Sequence, residues 1–121
     1  MGSQRFAAQV IFAGSVTPTK ASYSAPVALT DAATIAVNLS LADNFSVTLG
    51  ANRILGTPTN VVAGMSGFIT VTAGSFTLSY GTNWTFTDGT APVLGAGLNV
   101  LAYYAISPTS VLVALSGSAV A

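Results

Sequence analysis

The chain has 121 residues, of which 51% are hydrophobic and only 5% are charged, with three basic and three acidic side chains, no His and no Cys. An ordinary soluble domain carries about 25% charged residues, so a free monomer with a self-sufficient polar surface is disfavoured. The abundance of β-branched and aromatic residues argues against intrinsic disorder. We therefore expect one β-rich domain whose surface is largely covered by neighbouring subunits.

Residues 1–27 are loosely patterned, and we predict that they form an N-terminal arm or edge element. The run Val10-Ile11-Phe12 favours a strand, whereas Pro18 and Pro26 interrupt the pattern. Two roles stay open for this segment: an arm that packs against a neighbouring subunit, and a peripheral first strand.

From Thr34 onward, apolar residues alternate with Thr, Ser and Asn, which is typical of strands with one face toward a core. Residues 35–41 and 45–49 flank a polar break and are predicted to form one hairpin. Residues 68–72 and 76–80 flank a Gly-containing connection and are predicted to form a second. No internal repeat of fixed period is found.

The C-terminal part begins with a short predicted strand at Trp84 and contains an Asp88-Gly89 turn signal. Residues 98–106 form a long predicted strand with apolar side chains on both faces, and residues 111–115 return beside it, which indicates burial on both sides. The sequence thus predicts an all-β fold, specifically a β-sandwich or jelly-roll-like domain over residues 28–121.

The sequence contains few residues that could act in catalysis or bind a metal ion. The three carboxylates, Asp31, Asp43 and Asp88, lie at predicted turns, where Asp is favoured for backbone hydrogen bonding. Without His or Cys, acid–base pairs and zinc sites lack their usual groups. We expect no enzyme activity, no metal and no cofactor.

Membrane and nucleic-acid partners are also disfavoured. The uncharged stretches 54–87 and 89–121 are interrupted by Pro and Gly, unlike a spanning helix of about 20 apolar residues. Three basic residues and zero net charge give little attraction for phosphate. Among the aromatic residues, Tyr80 and Trp84 are alternative candidates for glycan contact, although packing in the core or between subunits is favoured.

Several motifs follow one another in a recognisable order, namely Ala28–Ser40, Asn44–Arg53, Gly56–Asn60, Gly64–Gly67 with its following strand, Leu78–Trp84 and Gly89–Leu94. Together they resemble a β-structured module of tailed-bacteriophage virion proteins, of the tail-fibre and head-decoration type. The resemblance covers about residues 28 to 115. It implies a multimeric structural component of the virion.

Because the chain is little longer than the module, we expect a capsid decoration (cement) protein on the exterior of the phage head. It would bridge capsid subunits as a homo-oligomer, a trimer, with the major capsid protein or another virion protein as partner. The alternative is a tail or head-fibre receptor-binding module that holds a host surface glycan. Predicted subunit or capsid contacts are Phe6, Val10 and Phe12 in the arm, and Leu101, Tyr103 and Leu112 on the outer face of the last hairpin.

Overall fold

A computed structural model of the chain describes residues 25–120. The predicted arm contacts Phe6, Val10 and Phe12 lie outside the described residues. Nine strands and one 3-10 turn at Thr87–Gly89 make up the described part. The strands are β1 Val27–Ala28, β2 Thr34–Ile35, β3 Asn44–Thr48, β4 Arg53–Leu55, β5 Ser66–Thr72, β6 Leu78–Tyr80, β7 Trp84–Phe86, β8 Leu98–Ser107 and β9 Ser110–Val120.

The first six strands form two parallel ladders. Strands β1, β3 and β5 pair in parallel, and β2, β4 and β6 form a separate parallel sheet of three strands. Val27 lies beside Phe45, and Phe45 in turn lies beside Ile69. Each strand therefore pairs with the strand one turn of the chain away, and the backbone winds through three coils of a β-solenoid.

Stacking of the coils continues beyond the second sheet. The amide of Gly56 donates to the carbonyl of Ile35 at 2.8 Å, and the amide of Gly81 donates to the carbonyl of Leu55 at 2.7 Å. An isolated parallel bridge joins Asn38 to Thr59. Because these backbone groups find partners in the next coil, the winding satisfies hydrogen bonds that a loop would leave to water.

A C-terminal hairpin completes the larger sheet. Strands β8 and β9 pair antiparallel, β8 also pairs antiparallel with β5, and β7 pairs parallel with β9, giving the order β1-β3-β5-β8-β9-β7. The turn between β8 and β9 is closed by pairing of Ser107 with Ser110. The hairpin thus adds its strands to the edge of the third coil.

The hydrophobic core lies inside the coils and under the hairpin. Phe45, Ile69 and Leu101 are neighbours on β3, β5 and β8, and all three are 0% exposed. Asn99, the one fully buried polar side chain among the described residues, bonds to the carbonyls of Gly95 and Gly97 and accepts from the amide of Gly95. Stacked apolar side chains and a satisfied amide therefore hold the three coils and the hairpin together.

The all-β prediction is confirmed, but the architecture differs from the sandwich or jelly roll that the sequence favoured. The predicted hairpin of 35–41 with 45–49 is wrong, and so is that of 68–72 with 76–80, because in each case the two strands belong to different sheets. Alternation reports which face of a strand is buried and carries no information on its partner. The last predicted hairpin is confirmed, and the predicted arm boundary at residue 28 falls inside β1.

Candidate functional site: an uncharged sheet face

The outward side of strands β5, β8 and β9 carries the candidate site, which we call the uncharged face. Three large side chains stand out on it: Phe68 is 48% exposed, Tyr104 is 50% exposed and Ile106 is 54% exposed. The full set is Phe68, Ala102, Tyr104, Ile106, Leu112 and Ala114. An exposed apolar group of this kind is typical of an interaction surface.

Strand pairing and pleating bring these residues together. Phe68 pairs with Ala102, which pairs with Ala114, so one row crosses the three strands. In the adjacent row Tyr104 pairs with Leu112. Since successive side chains of a strand point to opposite sides, the residues between them point into the core and the row residues point outward.

Charged side chains lie elsewhere in the described part of the chain. Arg53 and Asp31 form an ion pair at a corner of the solenoid, with Nε to Oδ1 at 2.8 Å and Nη2 to Oδ2 at 3.0 Å, and the amide of Gly50 also donates to Oδ2 at 3.0 Å. The hydrogen bond from Arg53 lowers the pKa of Asp31. Asp43 directly precedes β3, and Asp88 lies in the 3-10 turn. Strands β5, β8 and β9 themselves contain no charged residue.

Two of the predicted contact residues are on the wrong side of β8. Leu101 is 0% exposed and Tyr103 is 4% exposed, and both face the core. The Tyr103 hydroxyl donates to the carbonyl of Asp43 at 2.7 Å, and burial, with a contribution from the nearby Asp43 charge, raises the pKa of Tyr103 to about 12. Prediction of these two residues as outer-face contacts is therefore wrong.

Leu112 does lie on the uncharged face, partly buried beside Tyr104. Its role as a contact stays a prediction. Alternation along residues 98–106 puts Tyr104 and Ile106 on the side of β8 opposite to Leu101 and Tyr103. The sequence prediction took the Leu101 side as the outer one and did not select Phe68. The available signal was the segment 111–115 of β9, which contains no polar residue and so has apolar side chains on both faces.

The predicted glycan contacts have different surroundings. Trp84 is only 5% exposed, and its indole Nε1–H donates to the carbonyl of Gly56 at 2.8 Å. Because the indole is enclosed and joins β7 to the second coil, it offers no ring face to a sugar, and the prediction of Trp84 as a glycan contact is wrong.

Tyr80 lines a cleft of about 300 Å³ between β6 and residues 91–94. Its ring packs edge-on against Phe86 with centroids 5.1 Å apart, and its hydroxyl lies 3.4 Å from the carbonyl of Pro92. Burial raises the pKa of Tyr80 to about 12. The cleft is lined mainly by apolar groups and backbone, and contains no charged side chain.

Within residues 25–120, no group of three or more acidic, His or Cys side chains is placed to hold a metal ion. The same residues contain no helix long and apolar enough to span a membrane.

Comparisons with protein-family models, with curated proteins and with solved structures give no match for this chain.

Proposed function

We propose that the chain is a bacteriophage virion structural protein, a capsid decoration protein that sits on the exterior of the head and stabilises the shell by bridging capsid subunits. The observation that carries the proposal is the uncharged face, where Phe68, Tyr104 and Ile106 remain about half exposed on a rigid sheet. The assignment to a phage particle rests on the resemblance of the motif order to modules of phage virion proteins.

The magnitude of the available burial favours a repeated subunit over a single contact. A fully buried Phe or Tyr removes about 150–250 Å² from water, so three half-exposed side chains offer roughly 300 Å². At about 25 cal/mol per Å² this corresponds to roughly 7 kcal/mol of gross stabilisation from this side of a contact. The loss of translational and rotational freedom on association costs about 4–15 kcal/mol. One such contact alone is therefore weak.

An oligomer resolves this shortfall, because several linked contacts bind far more tightly than one. We accordingly propose a homo-oligomer that meets the major capsid protein at several points and uses no cofactor or catalytic step. The trimer expected from the sequence stays a prediction. The N-terminal arm, with Phe6, Val10 and Phe12, is the proposed contact with the shell, and the uncharged face is the proposed contact between subunits.

Reconstitution on phage heads that lack the chain tests this function. Purified full-length protein is added to such heads, occupancy is measured by electron cryomicroscopy, and the temperature of DNA release is recorded. We expect ordered density on the head exterior and a higher release temperature. A version lacking residues 1–20 tests the arm, since full occupancy without it would show that the arm is not the anchor.

Two results would contradict the proposal. One is density confined to the tail or absent from the particle. The other is specific saccharide binding by the purified oligomer on a glycan array, which would favour the receptor-binding alternative. A Tyr80→Ala variant is the control for that assay, because Tyr80 lines the cleft beside β6 and lies off the uncharged face.

A further inference from the structure

We infer that the uncharged face binds a second copy of this chain. The inference deepens the proposed function and rests on it in one respect, that the protein works as a repeated subunit. It assigns the oligomer contact to strands β5, β8 and β9 and to named side chains on them.

The absence of charge on this face restricts the kind of surface that can cover it. A surface that brought a charged side chain against this face would bury that charge without a counter-ion, which is strongly unfavourable. The partner must therefore be uncharged over the same area. The chain itself meets this requirement, because strands β5, β8 and β9 carry no charged residue. Its net charge of zero also produces no long-range repulsion between two copies.

The shape of the face also fits a sheet-on-sheet contact. Large and small residues alternate across the strands, with Phe68 beside Ala102 and Ala114 in one row and Tyr104 between Ser66 and Leu112 in the next. When two sheets pack about 10 Å apart, inner-face side chains interdigitate. The rings of one copy can then lie over the alanines of the other.

The three anchors supply part of the area that a stable contact needs. A standard interface buries about 800 Å² on each partner. The three half-exposed anchors supply roughly 300 Å² of this, and the remainder falls to partly buried neighbours and to a polar rim, which includes Thr70 and Thr85. A central apolar group surrounded by polar residues is the usual organisation of an interface.

Other exposed apolar residues do not form a comparable surface. Leu41, Val62 and Val93 are 61%, 60% and 84% exposed, but they lie in separate loops and in different parts of the chain. Ile54 and Phe76 are less exposed, at 43% and 38%, and Ile54 stands between the polar residues Thr34 and Ser79 of the second sheet. Val93 consequently provides a matched control position, highly exposed and off the uncharged face.

Sedimentation of the purified full chain gives the test. The protomer has a mass of 12.1 kDa, and we expect the wild type to sediment as a defined multiple of this mass at micromolar concentration. Tyr104→Lys places a charge at the centre of the contact and should raise the dissociation constant by roughly 30-fold or more, as loss of a central anchor does. Val93→Lys should leave the dissociation constant unchanged. Circular dichroism verifies that each variant keeps the β-rich spectrum of the wild type.

A second variant, Phe68→Lys, guards against misfolding of the first. If either folded variant is monomeric while Val93→Lys remains oligomeric, the inference holds. A wild type that sediments as a 12.1 kDa monomer, or an oligomer unaffected by both face variants, overturns it. Neither outcome depends on the phage particle, so failure here is distinct from failure of head binding.

Discussion

The coils formed by β1–β6 and the hairpin formed by β8 and β9 are built from similar alternating sequences, yet they pair in opposite ways. In the coils, each strand lies parallel to one about a full turn away, as Phe45 does beside Ile69. In the hairpin, β9 returns directly along β8 after a short turn at Ser107–Ser110. The coils bury their inner side chains within the solenoid, whereas the hairpin also carries an apolar outer side.

Under the proposed function, this difference assigns separate tasks to the two regions. The coils provide a rigid frame, since their backbone groups bond to adjacent coils and their inner side chains are buried. The hairpin contributes one side to that core and leaves Tyr104 and Ile106 on the other. Stability is therefore expected to depend most on the coils, and association most on the hairpin.

The largest effect should come from Phe45→Ala in the second coil. Phe45 is 0% exposed, and removal of a buried Phe side chain costs about 3–5 kcal/mol of unfolding free energy. Tyr104→Ala on the hairpin, measured at dilutions where the protein is monomeric, should cost far less because its ring is already half exposed. Urea unfolding of both variants measures the comparison, and equal losses would show that the coils are not the main source of stability.

The junction between the two regions is tested by Gly67→Ala. A Cβ at this position would overlap the carbonyl oxygen of Asp43, a backbone atom that cannot move without displacing the start of β3. We expect a loss of about 3 kcal/mol or more. Gly74→Ala is the control, because nothing lies within 4 Å there and the cost comes only from its φ of +59°, about 1–2 kcal/mol. A Gly67→Ala protein as stable as the control would contradict the close approach.

A smaller effect is expected from alkaline pH on the tyrosines. Burial raises the pKa of Tyr103 and of Tyr80 to about 12 from 10.0, so in this range the unfolded chain loses these protons first. The stability is complete below pH 10 and falls as pH rises toward 12. Tyr103→Phe should remove about half of that fall, as measured by urea midpoints at pH 9 and 11.5. An unchanged slope would mean that Tyr103 ionises freely in the folded protein.

The smallest effect belongs to Asp31→Asn, at the exposed corner where the first coil meets the second. Arg53 lowers the pKa of Asp31 below 3.8, so this contribution is present above that value and is lost as pH falls through the lower folded value. Exposed ion pairs contribute little and are screened by salt. The unfolding temperatures at pH 7 and pH 2.5 should differ slightly less in the variant than in the wild type. High salt should reduce the difference in unfolding temperature between the two proteins at pH 7.

Much of the fold was predictable because burial leaves a local mark on the sequence. The strands β7, β8 and β9 and the last hairpin follow from alternation and from a short turn. The solenoid winding did not follow, since strand partners lie a whole coil apart along the chain and the length of a coil varies. One signal was present: Val47-Thr48-Leu49-Gly50 and Val71-Thr72-Ala73-Gly74 occupy matching places in successive coils.

The candidate site was only partly predictable for a related reason. Period-two patterning places Tyr103 and Tyr104 on opposite sides of β8, but both sides are apolar, so the sequence does not indicate which side faces the core. That choice depends on β5, which pairs with β8 although β6 and β7 lie between them in the chain. Trp84 was misassigned for a similar reason, because the carbonyl that its indole binds belongs to Gly56 in another coil.

The central claim is that one copy of this chain leaves a face that a second copy covers. An experimental structure of the oligomer in solution, by electron cryomicroscopy or crystallography, measures this directly through the exposure of Tyr104. We expect Tyr104, 50% exposed in the single chain, to be buried against strands β5, β8 and β9 of a neighbouring copy. A structure in which Tyr104 faces solvent and the copies meet elsewhere would contradict it.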